Sequence, residues 1–461
     1  MTSSSPSTDR LDMRRILPIF VIVLIDLLGL TIIVPLLPLY ATTFGADPLT
    51  IGMLGATYPI MQFIGAPLLG RLSDRFGRRP VLILSQIGTL TGFLVLGLAQ
   101  NIVMLFVARL IDGLSGANLS TAQAVIADQT NNKTRTQGLG LLGAAFGLGF
   151  VVGPLVALVA LAVTRNNYHA PAFVAAGFSL VSILLSAFWL EESLPAESRG
   201  QSGKRAAFSL GSMLAALQRP AIGVLLALIF LQQLAFGVVQ SLLSLFTLSR
   251  LGLTASGNAI IYVYVGILVV GMQGGAIGPL SRRLGDRRLI LLGLGVLAVG
   301  LILLSFTPRI PLPGYSRTAV EAELTGVRPL PGELTPTTSI QIPLPTGERT
   351  GWAGLAWLLA AMLPTAIGGG VLQPGINSLL TKRVDPLEIG GMLGISAAFL
   401  SAANATAPVF GGLLFQSLGP PAPFLLGGCL AALLLVAASR LVRPGREELT
   451  SRTGDVAVVG A

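Results

Sequence analysis

The sequence predicts an all-α membrane protein of twelve transmembrane helices in two pseudo-symmetric six-helix bundles, and three observations carry that reading. Apolar residues make up 52% of the 461-residue chain and charged ones only 11%, where soluble domains carry roughly 25% charged. Apolar runs near the roughly 20 residues that a spanning helix needs recur twelve times between polar connections. Finally, a charged turn, Gly70-Arg71-Leu72-Ser73-Asp74-Arg75-Phe76-Gly77-Arg78-Arg79-Pro80, returns as Gly278-Pro279-Leu280-Ser281-Arg282-Arg283-Leu284-Gly285-Asp286-Arg287-Arg288. Gly, Leu, Ser, Arg, Gly and Arg keep their relative places across a displacement of 208 residues, from 70 to 278. A repeat on that scale implies two similar halves.

Taken in order, residues 1–15 form a polar tail that lacks the pattern of a cleavable signal. The first bundle, 16–190, holds runs near 16–40, 50–70, 81–100, 103–127, 137–163 and 171–190. A charged linker at 191–219 follows. The second bundle, 220–441, holds runs near 221–247, 257–280, 289–307, 352–380, 389–415 and 422–441, and a polar tail closes the chain at 442–461. The stretch 308–350 has a different texture, with prolines at 308, 311, 313, 329, 331, 336, 343 and 345. Proline at that density argues against regular helix, and an irregular outer loop is expected there. Gly153-Pro154 is echoed by Ala407-Pro408 at a displacement of 254, which exceeds 208 by 46, nearly the length of this stretch. The stretch therefore reads as an insertion into one half.

The net charge of +10 suggests nucleic acid in a soluble chain. Here, however, 23 of the 30 Lys and Arg residues fall on the side of the connections that carries both termini. By the positive-inside rule that side is cytoplasmic, giving a multi-pass protein of the cell inner (plasma) membrane with a lipid bilayer as its surroundings. Nucleic-acid binding is excluded. The single cysteine, Cys429, lies in an apolar run, so neither a disulfide framework nor a cysteine metal site is expected. The single histidine, His169, reads as a solvated loop residue. Gly138-Leu139-Gly140-Leu141-Leu142-Gly143 matches a dinucleotide fingerprint but has no strand before it. No cofactor or metal is expected, and no catalytic constellation points to an enzyme.

Several residues stand out as functional candidates. Asp26 falls about ten residues into the first run, where a lone carboxylate is costly by about 2.5–3.5 kcal/mol and such groups face cavities. It is read as a proton carrier or an anchor for a cationic substrate. Arg109 and Asp112 lie three apart on one helical face and are read either as a self-neutralised pair or as part of proton coupling. In the repeated turn, Gly70 and Gly77 permit close packing and a tight turn. Asp74 is placed to accept from amides at a helix start, the nearest being around Pro386 to Gly391. Arg75, Arg78 and Arg79, with Asp128 at the end of the fourth run, complete a candidate cytoplasmic gate. Gly149, Gly153 and Pro154 offer close helix contact and a bend. Tyr58, Phe63, Gln232, Gln233, Gln373, Asn377 and Asn404 are candidates for a substrate cavity, or for interhelical hydrogen bonds.

This arrangement resembles the major facilitator superfamily, with its charged turn between the second and third helices and a weaker copy between the eighth and ninth. Three further stretches resemble its twelve-span drug/proton antiporters, and the tetracycline-exporter branch in particular. They are Asp26-Leu27-Leu28-Gly29 with Pro35-Leu36-Leu37-Pro38, then Leu105-Phe106-Val107-Ala108-Arg109 on to Asp128, and Gly147-Leu148-Gly149-Phe150-Val151-Val152-Gly153-Pro154. The resemblance implies a secondary transporter that exchanges protons for amphipathic or cationic drug-like small molecules by alternating access, working as a monomer. The chain departs from the tetracycline exporters in holding no acidic residue within its third and ninth runs. Read from the residues alone, a proton-coupled metabolite transporter and a non-transporting receptor or scaffold remain open alternatives.

Overall fold

The structure, a computed structural model, describes residues 13–116, 118–130, 135–195, 197, 199, 210–325, 340–385 and 388–442. Among them, ten helices are individually long and apolar enough to cross a membrane. Two further crossings are assembled from consecutive pieces. The first bundle consists of α1 (Met13–Ile33) continued by α2 (Leu37–Thr43), α3 (Pro48–Phe76), α4 (Arg78–Gly97), α5 (Ile102–Ser115) continued by α6 (Asn118–Gln129), α7 (Arg135–Val163) and α8 (His169–Phe188). A linker helix, α9 (Leu210–Gln218), leads to the second bundle. This holds α10 (Pro220–Leu251), α11 (Ala255–Gly271) joined through a π-turn at Met272–Ala276 to α12 (Ile277–Leu284), α13 (Asp286–Ser305), α15 (Ala353–Thr381), α16 (Ile389–Leu418) and α17 (Ala422–Leu441).

The interruptions have local causes. Pro35 and Pro38 each remove an amide donor, and the first crossing breaks between α1 and α2. At the break between α5 and α6, side chains from neighbouring helices take over the backbone bonding. Gln62 donates to Gly116 O at 2.9 Å, and the Ser85 hydroxyl bonds Ser115 O and the Asn118 side chain. Freed backbone groups at membrane depth need such substitutes.

Both repeated turns are glycines in a conformation that side chains rarely adopt, Gly77 at φ 111° and Gly285 at φ 77°. The Arg two places after each glycine binds the end of the last helix of its bundle. Arg79 reaches Ser186 O and Ala187 O at the end of α8, and Arg287 reaches Ser439 O and Val442 O at the end of α17. This end of the molecule is the hairpin face; the opposite end, where 308–350 sits, is the insertion face.

The insertion departs from the irregular loop expected of it. Its prolines leave 317–325 free, and that stretch forms helix α14 (Arg317–Thr325), with Val320 and Leu324 buried. His169 is likewise not a solvated loop residue: its Nδ1 lies 2.8 Å from the Tyr40 hydroxyl, in the first bundle's packing.

The bundles meet along two seams, α3 against α16 and α7 against α11, and glycines show how tightly. On the insertion side the contact is backbone to backbone. A Cβ on Gly52 would land on the Pro408 carbonyl, and one on Gly412 would land on that of Pro48. Mid-way along the second seam, Gly266 sits against the Phe150 carbonyl and Gly147 against Val270. On the hairpin side of the same helices, Gly70, Gly143, Gly271, Gly391 and Gly394 have nothing within 4 Å of where a Cβ would stand. The bundles form a wedge, shut at the insertion face and spread at the hairpin face.

Candidate transport site and gate

Inside the first bundle, α1, α3, α4, α5, α6 and α7 surround a cavity of about 60 Å³ lined by Asp26, Tyr58, Gln62, Thr89, Asp112 and Asn118 among apolar neighbours. The sequence-predicted carboxylates thus share one pocket. Gln86 on α4 donates through Nε2 to Asp26 Oδ2 at 3.2 Å and to the Ser182 hydroxyl at 2.7 Å. Asp26 Oδ1 is buried and has no protein partner. Asp112 accepts from Arg109 Nη1 at 2.9 Å, and both are almost fully buried. The Arg109 guanidinium lies over the Tyr58 ring at 4.5 Å, where ring and cation attract. One carboxylate is therefore fully balanced by a cation, while the other keeps an oxygen free for a proton or a ligand.

At the hairpin face, Arg78 joins two carboxylates: Nη1 meets Asp74 at 2.6 Å and Nε meets Asp128 at 3.0 Å, while the guanidinium also donates to Ser73. Arg75 is exposed and rests over Phe76. Glu192, just past α8, accepts from the backbone amides of Arg78 and Arg79 at 2.8 and 3.2 Å, where an anion suits a helix start. Pro386 and Leu387, part of the helix start expected to face Asp74, lie outside the described residues.

The second bundle repeats this cluster with its charges exchanged. Position 78 corresponds to Asp286 at the 208 displacement, and position 128 to Lys382 at the 254 displacement. Where the first bundle pairs Arg78 with Asp128, the second pairs Asp286 with Lys382 at 3.1 Å. The supporting serine is kept: Ser281, the counterpart of Ser73, donates to Asp286 at 2.6 Å, and Ser378 adds a second bond at 2.7 Å.

The family model described as Major Facilitator Superfamily matches residues 19–319 and 346–458. The chain belongs to the major facilitator superfamily. It is a transporter of a small-molecule substrate, not an enzyme. It is similar to the class C tetracycline resistance protein of Escherichia coli, 28% identical over 390 residues that span 84% of this chain and 86% of that protein. Multidrug resistance protein 2 of Bacillus subtilis (strain 168) is 26% identical over 418 residues, spanning 89% and 92%. The crystal structure of the human organic anion transporter MFSD10 (TETRAN) shares the fold, with a TM-score of 0.59 at 23% identity, covering 95% of this chain and 100% of that one.

Within this major facilitator frame the remaining candidates fall into different settings. Gly149 packs on Leu27, and a Cβ on Gly153 would run into Thr31, whose hydroxyl donates to Gly149 O at 2.8 Å. The motif therefore holds α7 against α1, within one bundle. Pro154 lies inside α7 without ending it. In the second bundle, Gln233 donates to Asn404 at 2.8 Å and Ser396 to Asn377 at 2.7 Å, and Gln373 is half-buried. Gln232 is 1% exposed, with its amide nitrogen bonded back to Ile229 O on its own helix and its side-chain oxygen buried without a hydrogen-bond partner. Phe63 is half-buried on α3 and does not line the carboxylate pocket. Gln86, Ser182, Gln62 and Glu192 join the candidate residues here, and sequence reading missed them. Single amides and hydroxyls in apolar runs carry no spacing signal, and Glu192 reads as an ordinary linker charge. Among the described residues, no group of three or more His, Cys, Asp or Glu stands together as a metal site.

Proposed function

We propose that this transporter exports amphipathic or cationic drug-like compounds in exchange for protons, with Asp26 carrying the proton. The observation that carries the reading is the buried Asp26 Oδ1 without a protein partner, in the same pocket as the Arg109–Asp112 pair. A cationic substrate and a proton compete for that oxygen, so binding one releases the other. The names of the tetracycline and multidrug resistance relatives support export of drugs. The absence of an acid within α4 and within the body of α13 separates this chain from tetracycline exporters and favours another amphipathic cargo.

The hairpin face is cytoplasmic on this reading, since the basic residues gather there. The wedge is then the inward-facing state, and closing the hairpin face exposes the pocket to the other side. In the outward-facing state Asp74 meets the start of α16 and latches the bundles. Both termini lie in the cytoplasm and the protein works as a monomer in the inner (plasma) membrane. The test is proton movement in proteoliposomes on adding a panel of cationic and neutral compounds, for wild type and Asp26→Asn. Compound-triggered flux that vanishes in the variant supports antiport at Asp26; equal flux in both defeats that role.

A further inference from the structure

On the insertion face, α14 does not stay with the bundle that supplies it. The two arms of the insertion are tied to each other: Gly351 N donates to Pro311 O at 2.9 Å, Arg309 to Leu344 O at 2.6 Å and the Tyr315 hydroxyl to Pro345 O at 3.0 Å. The Tyr315 ring lies against Gly252, at the end of α10, where a Cβ would not fit. From this base α14 crosses to the first bundle and packs on α2. Val320 and Leu324 are buried in the same apolar cluster as Tyr168 and Ala255, one from each bundle.

Glu323 lies between those two anchors. Its carboxylate accepts from the Tyr168 hydroxyl of the first bundle at 3.3 Å. Asn166, from the first bundle, and Thr254, from the second, are polar neighbours that favour its charged form. Burial among these groups pushes the Glu323 carboxyl above the usual range, which fits a carboxyl enclosed between bundles rather than one on a solvated loop. The family match pauses between 319 and 346. Val320, Glu323 and Leu324 therefore belong to an addition of this chain and not to the common transporter frame.

We propose that residues 308–325 and 340–350 form a strap across the insertion face, pinned to the first bundle by the Tyr168–Glu323 hydrogen bond and the packing of α14, that holds the face shut and must release before it opens. The strap biases the transporter towards the hairpin-open state. A transporter without it rests less firmly in that state.

The full chain, carrying Cys429→Ser, is labelled with spin probes at Gln100→Cys and Ser417→Cys, exposed positions on the insertion side of either bundle. The distance distribution is measured in lipid nanodiscs. Tyr168→Phe, which removes one hydroxyl, and Glu323→Gln are each compared with Glu321→Gln, whose carboxylate instead pairs with Arg317 along α14. Loss of one hydrogen bond of roughly 1 kcal/mol predicts about a fivefold rise in the ratio of long-distance to short-distance populations. That rise in Tyr168→Phe and Glu323→Gln, with Glu321→Gln matching the parent, supports the strap. Distributions equal to the parent in Tyr168→Phe and Glu323→Gln, or an equal rise in Glu321→Gln, overturn it.

Discussion

Substituting Gly52 by alanine adds one methyl group at the tightest point of the α3–α16 seam. That methyl would fall on the Pro408 carbonyl, and a backbone cannot swing aside as a side chain can. Overpacking of this kind is unfavourable by about 1–3 kcal/mol. The penalty applies only while the insertion face is shut, because opening parts the two helices. It therefore acts as a coupling energy, lowering the ratio of hairpin-open to hairpin-closed molecules by roughly 5- to 150-fold. The readout is alkylation of Gly394→Cys by a bulky maleimide in Cys429→Ser protein, since Gly394 stands in open space in the hairpin-open state. Alkylation should slow in Gly52→Ala and keep its parent rate in Gly391→Ala, whose added methyl meets nothing within 4 Å. Folded Gly52→Ala protein alkylated at the parent rate would refute the account of the seams.

Other perturbations follow from the same geometry. Asp74→Asn should leave the protein in the membrane and sharply reduce turnover in a transport assay; unchanged transport would remove the latch. Arg78→Ala strands Asp128 and the partly exposed Asp74 beside a buried hole, and should lower the melting temperature by the equivalent of about 3 kcal/mol, measured in detergent. Gly153→Ala should destabilise by about 1–3 kcal/mol through contact with Thr31, and adding Thr31→Ala should restore part of the loss. Asp286→Lys and Lys382→Asp should each destabilise, whereas the two together should recover, because the first bundle already holds the opposite polarity; a double-mutant cycle with no coupling would contradict the pairing.

The membrane spans and the duplicated turn are legible because lipid imposes length and apolarity on every crossing, and both can be read from composition. Arg78, Asp74 and Asp128 are legible as a charged cluster because charges at the ends of apolar runs have few places to go. The interruption at Gly116 and the π-turn at Met272–Ala276 are not. The first depends on which neighbouring side chain replaces a lost backbone bond, and Gln62 and Ser85 are distant in sequence. Expecting no helix in 308–350 weighted overall proline density over its spacing, which leaves 317–325 clear. The exchange of charge between Asp128 and Lys382 could be found from the two displacements together, although either alone misses it.

The mid-seam contact of Gly266 with the Phe150 carbonyl has a mechanical consequence. It sits near the fulcrum between a closed face and an open one, and the surfaces that meet there are a bare α-carbon and a peptide oxygen. Interlocked side chains act as gear teeth, so turning one body against the other means lifting each tooth out of its notch. A glycine on a carbonyl has no tooth. In the alternating access proposed above, the two bundles roll there as on a plain bearing, and the rims, not the pivot, are where substitutions would tune the motion.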